Sequence, residues 1–68
     1  MKMTKKAKRR FEEQLSYYKD MHMHYWVRGN DVLQQEYYGA YMGAIAVAEV
    51  MGLITENEAN EYREKLNK

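Results

Sequence analysis

The stretch Val27-Arg28-Gly29-Asn30-Asp31-Val32-Leu33-Gln34 decides how this chain is divided. Gly29-Asn30 offers the left-handed residue that commonly closes a helix, because glycine reaches positive φ without a Cβ clash. Asp31-x-x-Gln34 then has the form of a capping box, in which Asp accepts an exposed backbone N–H of the next helix and Gln reaches back. One helix ends here and another starts. Further along, Gly52 closes the second helix in the same way, with Leu53 covering its last turn, and Thr55-x-x-Glu58 opens a third. The punctuation predicts helices near residues 4–28, 31–51 and 56–67. No proline interrupts them, and connections this short join antiparallel neighbours. The expected fold is all-α, a single domain over residues 1–68: a compact three-helix bundle, or a helical hairpin with a short third helix.

Periodicity agrees. Ala7, Phe11, Leu15, Tyr18, His22, Tyr25 and Trp26 recur at helical steps of three and four and form one stripe. Thr55, Ala59, Tyr62 and Leu66 do the same in the third helix, with Glu61 and Glu64 opposite. The second helix differs. Leu33, Tyr37, Ala40, Ala44, Ala48 and Met51 share a face, yet Tyr38, Met42, Ile45, Ala46, Val47 and Val50 occupy the others. A helix apolar nearly all round is normally covered on several sides, and two neighbours cannot cover all of it, so a homodimer through the second helix is expected. Gly39-x-x-x-Gly43 and Ala40-x-x-x-Ala44-x-x-x-Ala48 admit close approach of another helix. Each interior glycine costs about 1 kcal/mol relative to alanine, which close packing would offset. Ordinary packing within one chain is the competing explanation.

At 68 residues the chain sits near the lower limit for independent folding, where only about 60% of the unfolded surface can be buried. There is no cysteine for disulfides or thiolate metal sites, which fits a reducing cytoplasm. No secretory signal is visible, since the basic start runs into further charged residues. The richest apolar run, Ala44 to Ile54, is interrupted by Glu49 and falls short of the roughly 20 residues that span a bilayer. A soluble protein, without a membrane role, is expected.

Charge is split along the chain. Lys2, Lys5, Lys6, Lys8, Arg9 and Arg10 put six positive charges and no negative one into the first ten residues, while the rest carries five Lys/Arg against ten Asp/Glu. A helix N-terminus already carries partial positive charge and favours Asp or Glu, so the cluster points to an external anionic partner. Lys5, Lys6, Lys8, Arg9 and Arg10 are candidate phosphate contacts that would give salt-sensitive, sequence-tolerant binding. Their angles spread around a helix without making a clean stripe, and a solvated, disordered basic tail over residues 1–6 is the alternative.

Catalytic and metal chemistry find little support. His22-x-His24 places two imidazoles on divergent helix directions, with no third histidine or cysteine to complete a shell. His22 reads as part of the packed tyrosine-rich face and His24 as exposed. Ser16 has no recognisable triad partners, and Glu12-Glu13 read as solvated carboxylates. Glu49, flanked by Val47, Ala48, Val50 and Met51, reads as an edge residue of an oligomer contact. No enzyme activity, cofactor or metal is expected. Binding surfaces remain. Tyr17, Met21, Met23, Tyr38 and Met42, with Gly39 and Gly43, are candidates for a protein interface, with Tyr41 also spread around the second helix; Tyr and Met supply large, adaptable contact area. Glu56, Glu58, Glu61 and Glu64 form a candidate acidic face able to compete with phosphate for a basic groove.

The pattern Tyr37-Tyr38-Gly39-Ala40-Tyr41-Met42-Gly43-Ala44, followed by Gly52-Leu53-Ile54-Thr55-Glu56-Asn57-Glu58-Ala59, resembles small helical accessory proteins of phages and prophages of Gram-positive bacteria, some of which are anti-CRISPR proteins. The resemblance covers most of residues 4–67 in style and segment order and carries no functional residue over. It implies a non-enzymatic protein, working in the cytoplasm of a bacterial host, that binds and blocks host machinery. A defence nuclease such as Cas9, inhibited by occlusion of its nucleic-acid-binding surface, is the expected target. A dimeric nucleic-acid-binding accessory protein using the basic N-terminal arm is the alternative.

Overall fold

The computed structural model describes residues 2–66. It is all-helical, with α1 (Lys5–Val27), α2 (Asp31–Val50) and α3 (Glu56–Leu66), and has no strand among the described residues. The elements lie where local chemistry places them. Thr4 caps α1, its hydroxyl accepting from the Ala7 N–H at 3.1 Å. Met3 packs against the core and the helix begins at Lys5; Met1, the first residue of the alternative basic tail over residues 1–6, lies outside the described residues.

Gly29 at φ 72° closes α1. Its N–H donates to the Trp26 carbonyl, and the Asn30 N–H donates to that of Tyr25, the paired bonds of a Schellman turn. Asn30 does double duty: its side chain also caps α2, accepting from the Leu33 N–H at 3.2 Å. This corrects the expected Asp31/Gln34 capping box. Asp31 is already inside the helix, and Gln34 is drawn away to a buried contact with His22. Gly52 at φ 74° closes α2 by a second Schellman turn, with Gly52 N–H donating to Glu49 and Leu53 N–H to Ala48. The Thr55/Glu58 box forms in both directions: the Thr55 N–H donates to the Glu58 carboxylate at 2.9 Å, and the Glu58 N–H to the Thr55 hydroxyl at 3.1 Å.

The core joins Leu15 of α1, Tyr41, Ile45 and Ala48 of α2, Ile54 of the connection, and Ala59, Tyr62 and Leu66 of α3. Here the expected faces need correction. The buried side of α2 runs through Gln34, Tyr41, Ile45 and Ala48; of the face expected from the sequence, Leu33, Tyr37, Ala40 and Ala44 are only half-buried and Met51 is exposed. Tyr41, expected on the surface, is core, with its hydroxyl donating to the Tyr62 carbonyl. In α1, Leu15 and His22 are buried, but Ala7 and Trp26 at the ends of the expected stripe are exposed. In the third helix Ala59, Tyr62 and Leu66 are buried as read, and Thr55 serves as the cap.

Helix lengths set what is covered. At 1.5 Å per residue α2 is about 30 Å long and α3 only about 16 Å, so α3 roofs one half of the hairpin. It is tied there by Arg63 to Glu49 at 3.1 Å and by the Tyr62 hydroxyl donating to Glu12 at 2.9 Å, with Phe11 edge-on to the Tyr62 ring. Among the described residues none forms a third layer over the other half, toward Gly29.

Candidate interaction surfaces

Beyond the end of α3, His22 organises a buried polar link between α1 and α2. Its Nδ1 lies 3.1 Å from the Gln34 backbone carbonyl and 3.2 Å from the Gln34 side-chain amide nitrogen. A protonated Nδ1 donates to the former and a bare one accepts from the latter, so either tautomer is satisfied. The Tyr38 and Trp26 rings sit against the imidazole, with centroids 5.7 and 6.1 Å away. Met23, three residues before Trp26, shares that flank of α1. Trp26 is 64% exposed, Met23 43% and Tyr38 40%. Trp26 and Tyr38 form an exposed aromatic patch against the hydrogen-bonded imidazole, with Met23 exposed one helical step from Trp26. His24 is exposed, as read, and takes a 3.0 Å contact from Arg28.

A second aromatic cluster is separate from the first. Tyr25 stacks on Tyr37 at 5.8 Å, and Tyr17 meets Tyr37 edge-on at 6.1 Å and lies 5.9 Å from Tyr18. The expected protein interface is therefore divided: Tyr38 and Met23 belong with Trp26, Tyr17 belongs to the tyrosine cluster, and Met21 is half-buried. Met42 packs half-buried against the core. Gly39 and Gly43 are exposed, and a Cβ at either would meet nothing within 4 Å. No helix of this chain makes the close approach that their spacing suggested.

Next to these tyrosines runs an apolar groove of about 570 Å³ between α1 and α2. Phe11 and Tyr18 line it from α1, Ala40, Gly43 and Ala44 form its floor along α2, and Val47, Met51 and Leu53 lie toward one end. No residue of α3 lines it. A smaller hollow of about 210 Å³ beside α3 holds Ser16 next to Lys19, Lys65 and Tyr41. Neither histidine lines it, so Ser16 has no imidazole to activate it.

Lys5, Lys6, Lys8, Arg9 and Arg10 are all exposed. Lys5, Lys6, Arg9 and Arg10 fall within an arc of about 140° at 3.6 residues per turn, on the side of α1 away from buried Leu15 and His22, and Lys8 widens the set of five to about 200°. Lys8 departs from the arc toward α3, 3.9 Å from Glu58, a pair too exposed to contribute much. The acidic face is thinner than expected. Glu58 is occupied by its cap, and its hydrogen bonds from Thr55, with Lys8 nearby, hold its pKa below the ordinary value. Glu49 is engaged with Arg63. Glu56, Glu61 and Glu64 remain exposed.

The surfaces missed in the sequence are Trp26, read as core, and the exposed Val47, Val50 and Met51 beside the groove. The signal for Trp26 was its place in the last turn before Gly29, where little chain is available to cover it. Among the described residues no helix is long and apolar enough to cross a membrane. No protein family, curated protein or solved structure matches the chain.

Proposed function

We propose that the chain is a non-enzymatic interaction protein of a phage or mobile element, acting in the bacterial cytoplasm. It binds a host protein, with a defence nuclease such as Cas9 as the expected class, and occludes that protein's nucleic-acid-binding surface. The supporting observation is the exposed Trp26, Tyr38 and Met23 patch, held in place by the His22–Gln34 link. Trp and Tyr dominate binding hot spots, where truncation to alanine commonly costs 2 kcal/mol or more, about thirtyfold in affinity. Two copies pair through α2. Nuclease cleavage at an equimolar ratio of this protein tests the inhibitor reading: inhibition that Trp26→Ala with Tyr38→Ala abolishes supports it. Uninhibited cleavage at saturating concentration across the candidate nucleases defeats it.

One observation favours a second reading. Lys5, Lys6, Arg9 and Arg10 stand outward from an ordered helix, which suits a nucleic-acid-binding arm. Neutralising all four should then flatten the salt dependence of binding by several units of log–log slope. Unchanged affinity for nucleic acid counts against it.

A further inference from the structure

We infer that the groove between α1 and α2, lined by Phe11, Tyr18, Ala40, Gly43, Ala44 and Val47, is the seat of a second copy of this chain, whose own Val47, Val50 and Met51 enter it. The inference rests on the pairing of copies through α2 and assigns that pairing to one side of the helix. The sequence had nominated Tyr38, Met42 and Gly39 as well as Gly43. Tyr38 leans on His22, Met42 on the core, and Gly39 does not line the groove.

Three features select a second copy as the occupant. First, the groove and its entering residues are uncharged. An isologous contact sets each residue near its own kind across a two-fold axis, and an uncharged face can do so without repulsion, although the chain is 31% charged. Second, the same face supplies both parts of the contact. The floor is Ala40, Gly43 and Ala44, where small side chains leave room for a helix. The protruding residues are Val47, Val50 and Met51, exposed by 58%, 88% and 63%, one to two turns further along α2. An antiparallel crossing of two α2 helices lays the protruding half of each over the floor of the other. Third, the area fits. Full burial of the groove walls and of these three exposed side chains would bring two faces only near the roughly 1,200 Å² lower bound of specific interfaces, which suits a pair that forms at high concentration. Without pairing, Val50 and Met51 stand exposed beside the apolar groove.

Sedimentation of the full chain from low to several hundred micromolar, with far-UV circular dichroism, tests this. The expected result is a mass rising from 8.2 kDa to twice that value. Val47→Glu should hold the monomer mass at every concentration with helicity retained, while Tyr38→Glu still dimerises. Should Val47→Glu lose helicity, Met51→Lys, at the exposed end of α2, asks the same question. A dimer that survives Val47→Glu and Met51→Lys but is lost in Tyr38→Glu overturns the groove while leaving pairing through α2 intact. A wild-type chain that stays monomeric throughout overturns both, leaving the groove to a different occupant.

Discussion

Replacing Gly39 by alanine should stabilise this protein, and the structure fixes the expected size. Gly39 lies inside α2 and, unlike Gly29 and Gly52, does not adopt positive φ, so alanine fits its backbone. The added methyl meets nothing within 4 Å. What remains is intrinsic helix preference, about 1 kcal/mol in favour of alanine. For a domain of this size about 1 kcal/mol raises Tm by roughly 4–8 °C. Gly43→Ala should give the same gain in dilute solution, where copies are apart. In concentrated solution its gain should shrink, because Gly43 lines the groove and Gly39 does not. Thermal unfolding followed by far-UV circular dichroism at two protein concentrations measures both. A Tm that falls or stays level for Gly39→Ala in dilute solution would refute the reasoning, since it would mean that the outer face of α2 is packed against something within the chain.

Other outcomes follow from the core and the caps. Ile45 is fully buried between all three helices, so Ile45→Ala should cost about 2–5 kcal/mol and leave the chain largely unfolded by chemical denaturation at low urea. Thr55→Ala removes one arm of the capping box and should cost about 1 kcal/mol. Glu58, whose pKa is lowered chiefly by the Thr55 hydrogen bonds, contributes stability above the ordinary glutamate value of 4.5. That contribution is lost as pH falls through the folded value, and an acid titration of Tm for wild type and Glu58→Gln should converge there. Tyr62 is the alkaline counterpart. Burial first, then its bond to Glu12, pushes its pKa from 10.0 up to about 12. Its stabilisation is complete below pH 10 and disappears as pH rises through about 12, and Tyr62→Phe should remove that part of the alkaline unfolding curve.

Local chemistry was legible in the sequence, and long-range choices were not. Gly29, Gly52 and the Thr55/Glu58 box are decided by residues within one turn of one another, so their spacing alone placed the helix ends. Asn30 and Gln34 show the limit. Asp31 and Gln34 have the right spacing for a cap, but His22, twelve residues before Gln34, claims the glutamine for the hairpin interior. The phase of α2 was likewise hidden, because a helix with apolar residues all round does not announce which side is buried. The Tyr62 carbonyl, which receives the Tyr41 hydroxyl, and the Arg63–Glu49 pair select the side that α3 covers. Trp26 was misplaced for a related reason. It keeps the helical step from His22, yet α3 is too short to reach it. The basic residues are exposed on α1, and the arc that four of them share follows from their helical spacing.

Under the proposed function, a partner protein docks on the Trp26–Tyr38–Met23 patch. Affinity capture from a Gram-positive bacterial lysate, exhaustively treated with nuclease, tests it most directly when wild type is run beside Trp26→Ala with Tyr38→Ala. One host protein should be retained in stoichiometric amount by wild type and lost from the double variant, with helicity equal in both. Equal retention by the two proteins, or recovery that vanishes once nucleic acid is digested, would contradict it.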